Sequence, residues 1–259
     1  RSSSLKDSRN IIHQAILYLI YRKNSKLLER NISIKNSYDG KRCFILFTGT
    51  SVSNFDFDLI KDELVIACGM SVVHKDFKEN NVVAYFDPGA WEPRSLLYLD
   101  VIFSAVFRST KKGCSVFLHS TAYPYRNELT SYREKDTYYI TSNGNYLSSS
   151  DISSDLHQLN NIQEGSISTA LGIASYMGFK EIYLLGSDYL SDPPIYGHFY
   201  DGFHESGDAS SYESYRQRAS WMIEHVEKKG CKVINVLKDK TYSSSIESIT
   251  FEDLISLSN

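Results

Sequence analysis

Gly178-Phe179-Lys180-Glu181-Ile182-Tyr183-Leu184-Leu185-Gly186-Ser187-Asp188 is the stretch on which the fold turns. A helical pattern, Ser166–Met177, runs into it; Glu181–Leu185 then reads as a buried strand ending in a small-residue turn with an acid just beyond. Outward from there, Cys43–Phe47, Leu64–Ala67, Val82–Phe86, Ser115–His119 and Lys232–Val236 have the same short apolar character. Leu96–Phe107 and Tyr212–Lys228 carry helical patterns between them. Buried runs alternating with helices predict an α/β, Rossmann-like fold: a mostly parallel sheet with helices on both faces. Such sheets bind ligands beyond the carboxyl ends of their strands, so chemistry is expected there.

Residues 41–259 are expected to form this domain, and 1–40 an N-terminal amphipathic helix followed by a linker. Ile12, Ala15, Ile16, Leu19 and Ile20 share one helical face, with Arg22, Lys23 and Lys26 after them; packing on the chain's own domain is the plainer use of that face, and a membrane surface the other. Asn31–Gly40 is polar and reads as the linker. The chain opens on Arg1 rather than Met, as a piece of a longer protein would. The apolar stretch Ile11–Ile20 is too short, and too interrupted by His13 and Gln14, to span a bilayer. A net charge of -3, from 28 basic and 31 acidic residues, offers no global case for nucleic acid as a partner. Cys43, Cys68, Cys114 and Cys231 form no CxxC pair and sit in or beside apolar runs, so buried thiols in a cytoplasmic protein are expected rather than disulfides or zinc.

Four stretches could carry chemistry. Phe47-Thr48-Gly49-Thr50-Ser51-Val52-Ser53 comes at the end of the first strong strand, and a glycine among small hydroxyl residues lets backbone approach a phosphate or ribose. It is neither a Walker loop nor a GxGxxG fingerprint. Asp87 ends a strand before Pro88-Gly89, where it either meets a ligand or caps its own turn. Gly165-Ser166 opens a helix whose free N–H groups suit an anion, although Ser166 or Ser168 could equally be an ordinary N-cap; Asp188 lies just past the strand that follows. The loop from Ile195 to Glu205 gathers Tyr196, His198, Tyr200, Asp201 and His204, and a histidine titrating near neutrality can deprotonate a sugar hydroxyl. Asp56-Phe57-Asp58 has the DxD form of a metal-diphosphate site, yet its acids stand where a helix start favours them. No metal site is expected.

Taken in order, these stretches resemble the bacterial CMP-sialic acid-dependent sialyltransferases of lipooligosaccharide and capsule synthesis. They also resemble the related motility-accessory-factor transferases of nonulosonic acids. The resemblance covers roughly residues 43 to 237; it is strongest at Gly178–Leu184, then at Asp87-Pro88-Gly89, where the sialyltransferases have Asn-Pro-Gly, and at Gly49–Ser53. It implies a CMP-sugar site needing no cofactor and no metal. Gly49, Thr50 and Ser51 would line the cytidine, Asp87 would approach ribose or base, and Gly165, Ser166 and Asp188 would lie at the donor. Tyr196, eight residues after Asp188, stands at the spacing of a phosphate-binding tyrosine. His204, or else His198, would be the general base in a Tyr-x-x-His setting, here lengthened to Tyr200-Asp201-Gly202-Phe203-His204. Thr50 and Gly69 replace asparagines that read the nucleotide, and Leu190 replaces a second tyrosine, which leaves the donor open among sialic acid, Kdo, legionaminic and pseudaminic acids.

The function this implies is inverting transfer of a CMP-activated acidic sugar to a glycan or glycolipid acceptor in surface-polysaccharide synthesis. The enzyme would be cytoplasmic, with peripheral association at the inner face of the membrane and homo-oligomerisation both left open. The alternatives are a non-catalytic sugar-binding scaffold and a pterin-type pyrophosphokinase.

Overall fold

The computed structural model describes residues 15–16, 19, 22–23, 25–77, 81–86, 100–101, 104–105, 113–128, 132–144, 152–163, 165–200 and 209–257. Its centre is an eight-stranded sheet. In chain order the strands among the described residues are β1 (Arg42–Leu46), β2 (Leu64–Cys68), β3 (Asn81–Phe86), β4 (Ser115–His119), β5 (Thr137–Ile140), β6 (Ser142–Gly144), β7 (Asn160–Gln163), β8 (Glu181–Leu185), β9 (Ser191–Asp192), β10 (Lys232–Leu237), β11 (Ser243–Ser244) and β12 (Ser248–Thr250). The main sheet runs β12-β10-β8-β1-β2-β3-β4-β5, and every neighbouring pair in it is parallel. The fold is therefore the expected Rossmann-like α/β sheet, and the strands read from apolar runs recur within a residue at each end.

Strand alternation divides the core into two layers. Cys43, Ile45, Ile66, Phe86, Phe117, Ile182, Leu184 and Val233 point to one face, under helices α1 (Ser166–Met177) and α2 (Ala209–Lys228). Phe44, Leu46, Val65, Tyr85, Val116, Tyr183 and Leu185 point to the other. That second face is covered by 3-10 turns carrying Val52, Phe57, Ile60 and Val72, by Leu28, and by the short helix α3 (Phe251–Leu257) through Leu254. Both faces thus carry helix as expected: α1 and α2 on the first, and α3 with the helical residue Ala105 on the second, beside the tight turns described there. Cys43, Cys68, Cys114 and Cys231 are all buried and none is in a disulfide.

The polar stretch Asn31–Gly40, expected as a linker, is instead a fixed strap. The Asn31 amide, fully buried, donates to the carbonyls of Tyr139 (2.7 Å) and Leu156 (2.6 Å). Backbone N–H groups of Asn36, Tyr38 and Gly40 donate to the carbonyls of Tyr176, Met177 and Gly178 at the end of α1. Tyr38 stacks on Phe179 at 4.9 Å. These bonds close off α1's otherwise orphaned carbonyls, which is why polarity here does not mean solvent. Before the strap, the helical residues Ala15, Ile16, Leu19, Arg22 and Lys23 are exposed, and the helix packs on the domain through Leu27 and Leu28. The Leu96–Phe107 helix lies largely outside the described residues, of which 100–101 and 104–105 are helical.

Candidate functional site

β1 and β8 are neighbours in register, Arg42 opposite Glu181 through Leu46 opposite Leu185, so both end at the same level. From β1 the chain winds outward through β2, β3, β4 and β5; it returns at β8 and winds the other way through β10 and β12. The winding direction therefore reverses between β1 and β8, and it is at such a reversal that loops diverge and leave a ligand crevice. The loops leaving this point are Phe47–Ser51 and Gly186–Asp188, two of the stretches singled out above.

Their contact is close. Phe47 N–H donates to Leu185 O at 2.8 Å and Gly49 N–H to Gly186 O at 3.1 Å, carrying the ladder past the strands' ends. A Cβ on Gly49 would fall 2.5 Å from both Gly186 O and Asp188 Cγ, so only glycine fits. Asp188 Oδ2 accepts from Ser51 N–H (2.8 Å) and from the Thr50 hydroxyl (3.3 Å), and Oδ1 accepts from the Ser51 hydroxyl. Burial lifts the Asp188 carboxyl above the usual range; the bonds from Ser51 and Thr50 and the charge of Lys238 pull it back only in part. With both oxygens committed, Asp188 is a strut that shapes the Gly49 loop. Ser51 gives it both its N–H and its hydroxyl.

A third segment folds over the same place. Ile195 N–H donates to Asp188 O at 3.2 Å, and Phe199 N–H to Thr48 O at 2.9 Å. Gly49 and His198 form an antiparallel bridge. His198 Nδ1 lies 2.8 Å from Thr48 Oγ1, and its ring stacks on Tyr200 with centroids 5.1 Å apart. Phe199 packs edge-on against His74 at 4.8 Å, anchoring the loop to the turn after β2. Tyr196, half-buried, meets Tyr212 of α2 at 4.6 Å.

Helix α1 leads back into β8 and so starts at the carboxyl edge of the sheet. Gly165 is its N-cap at φ 126°, a backbone angle that side chains resist, and a glycine there makes no side-chain cap. The N-cap position thus supplies no side chain to the first N–H groups, and the reading of Ser166 or Ser168 as the N-cap does not hold. Asp56 accepts from Asp58 N–H at 3.0 Å and opens the 3-10 turn Phe57–Ile60, the helix-start role expected for the DxD.

Gly49, Thr50, Ser51, Asp188 and His198 are therefore brought together, with Tyr200 on His198. Gly165 and Ser166 open a helix at the same edge. Asp87 and His204, with Asp201, lie outside the described residues. Leu190, where the resemblance called for a tyrosine, is a buried core residue. Thr48 stood in the first candidate stretch, but its contact with His198, 150 positions away, was not legible there. Reading the sequence missed Lys238, exposed just beyond β10 and close enough to act on Asp188. Ser187, buried, donates to Asn235 at 2.7 Å and ties the β8 loop to β10.

The chain matches no protein-family model, and no curated protein shows significant similarity to it. A neutral, hydroxyl-bearing loop of which Thr48 and Thr50 are partly exposed, a helix start with glycine as its N-cap, a cation and a positioned imidazole suit a phosphorylated ligand and a proton transfer beside it.

Proposed function

We propose that the chain is a glycosyltransferase moving a CMP-activated acidic sugar, sialic acid, Kdo or a related nonulosonic acid, to a glycan acceptor. The observation that carries this reading is the convergence of the Gly49 loop and His198 on the β1/β8 reversal, held by the 2.8 Å Thr48–His198 contact. The nucleotide would lie along Gly49 and Thr50, with its single phosphate towards Gly165-Ser166 and Tyr196. Donation from His198 Nδ1–H to Thr48 Oγ1 leaves the lone pair on Nε2, the form a base requires. That nitrogen takes the acceptor hydroxyl's proton as its oxygen bonds to the anomeric carbon from the face opposite the phosphate. The carbon–oxygen bond to the phosphate breaks, and its electron pair leaves with CMP. Donors fixed on the departing phosphate give the electrostatic help expected to dominate. A monophosphate leaving group carries less charge than a diphosphate, so the proposal requires no metal.

Removing a general base typically costs about a hundred- to ten-thousand-fold in rate. His198→Ala should lower turnover by that order and leave CMP affinity nearly unchanged, because the base touches the acceptor. His204→Ala is measured beside it, and a larger loss there moves the base to His204. Turnover should persist in EDTA. CMP should raise the melting temperature; stabilisation by ATP with magnesium instead favours the pyrophosphokinase, and by neither the scaffold. If neither histidine change lowers turnover tenfold, base catalysis by this loop is refuted.

A further inference from the structure

A cavity opens on the same edge of the sheet, beyond the end of β4. It encloses about 460 Å³ and is lined by Lys23, Ser120, Thr121, Tyr123, Tyr125 and Arg126 beside Pro124. Three strand spacings separate β4 from β1, which puts it about 14 Å from the Gly49 loop. Two cations face it, and no carboxylate is among its described lining residues. The Arg126 guanidinium lies 4.0 Å from the centroid of the Tyr123 ring, and its Nη1 donates to Tyr123 O at 3.1 Å. Tyr123 is itself braced edge-on by Tyr139 at 5.4 Å, and Tyr139 bonds the Tyr132 hydroxyl at 3.1 Å. Both the ring and the cation are thus held in place before any ligand arrives.

The hydroxyls are aligned as well. Ser120, almost wholly buried, accepts the Thr141 hydroxyl at 2.6 Å, which leaves its own proton to donate. The Thr121 hydroxyl is 2.9 Å from Nδ1 of His119 beneath it, and Thr121 N–H points at the same nitrogen. Flat tyrosine faces match the apolar face of a pyranose, hydroxyls match its edge, and two cations match a negative substituent.

We infer that this cavity binds an anionic saccharide, one bearing a carboxylate or a phosphate. It would hold a charged sugar of the acceptor some distance from the reacting hydroxyl. The acceptor role rests on the transferase reading; binding itself does not. The test is titration calorimetry of the full chain with four probes: a trisaccharide ending in N-acetylneuraminic acid, lactose, a hexose phosphate and inorganic phosphate. At least one charged sugar should bind tenfold or more tightly than lactose, and which one does so separates carboxylate from phosphate. Lys23→Gln/Arg126→Gln should weaken it at least tenfold with CMP affinity unchanged. Lys23→Gln alone, at an exposed position, should weaken it about threefold with no change in melting temperature, which guards against a folding defect in the double variant. Equal binding of lactose, undiminished binding in either variant, no binding, or inorganic phosphate binding as tightly as the hexose phosphate each overturns the inference. Charged-sugar binding without any CMP binding would keep this site and remove the transferase reading.

Discussion

Gly49→Ala isolates the contact on which the β1/β8 site depends. Gly49 has φ −58° and ψ 155°, angles any residue adopts, so the substitution carries no backbone penalty and its effect is steric. The new Cβ would meet Gly186 O and Asp188 Cγ at 2.5 Å and Asp188 Oδ2 at 2.6 Å. Gly186 O is fixed on the end of β8 and already accepts Gly49 N–H; the carboxylate is pinned by Ser51. Overpacking of this kind costs about 1–3 kcal/mol. Displacing the carboxylate also weakens hydrogen bonds to a charged group, worth about 1.5–3 kcal/mol each. The expected loss is about 2–5 kcal/mol, measured by urea denaturation at constant m. Gly40→Ala is the control: at φ 73° with nothing within 4 Å of its Cβ, it should lose only the left-handed backbone cost of about 1–2 kcal/mol. A Gly49→Ala loss smaller than that of Gly40→Ala would refute the close approach and, with it, the shape assigned to the loop.

Burial holds the His119 imidazole down at about 4, against 6.5 for an exposed ring. Its contribution is therefore full above pH 6.5 and lost as pH falls towards 4, about 3 kcal/mol in all; His119→Gln should flatten that part of the urea stability profile, and an unchanged slope refutes the assignment. Asn31→Ala removes the donor to two buried carbonyls and should cost about 2–4 kcal/mol. A loss under about 1 kcal/mol would restore the strap's reading as a linker.

The interior strands were readable because a strand buried on both faces is a continuous apolar run. β8 (Glu181–Leu185) and β4 (Ser115–His119) fall where those runs fall. β5 went unread because Thr137-Tyr138-Tyr139-Ile140 is an edge strand with tyrosines, and β12 because three residues show no period. The strap misled for a different reason: Asn31 is polar because two distant carbonyls need a donor, and composition does not record the partner. The same limit applies at the site. Gly49, Ser51 and Asp188 each stood out as residue types after strands, but nothing local says that Asp188 is bonded to Ser51, 137 positions away. A motif reading makes the acid a ligand contact; the geometry makes it the strut of the loop.

The neighbour order around β1 has a consequence for synthesis on the ribosome. One edge of β1 pairs with β2, which follows within a few tens of residues, but the other pairs with β8, 135 residues after Leu46. At about 5–20 residues per second, that edge waits roughly 7–27 s for its partner. Through that interval Cys43, Phe44, Ile45 and Leu46, all buried in the finished sheet, stand beside an unpaired row of backbone donors and acceptors. The nascent chain thus presents a sticky edge until its last third emerges, and chaperone occupancy should rise after Leu46 and fall once Leu185 has cleared the exit tunnel.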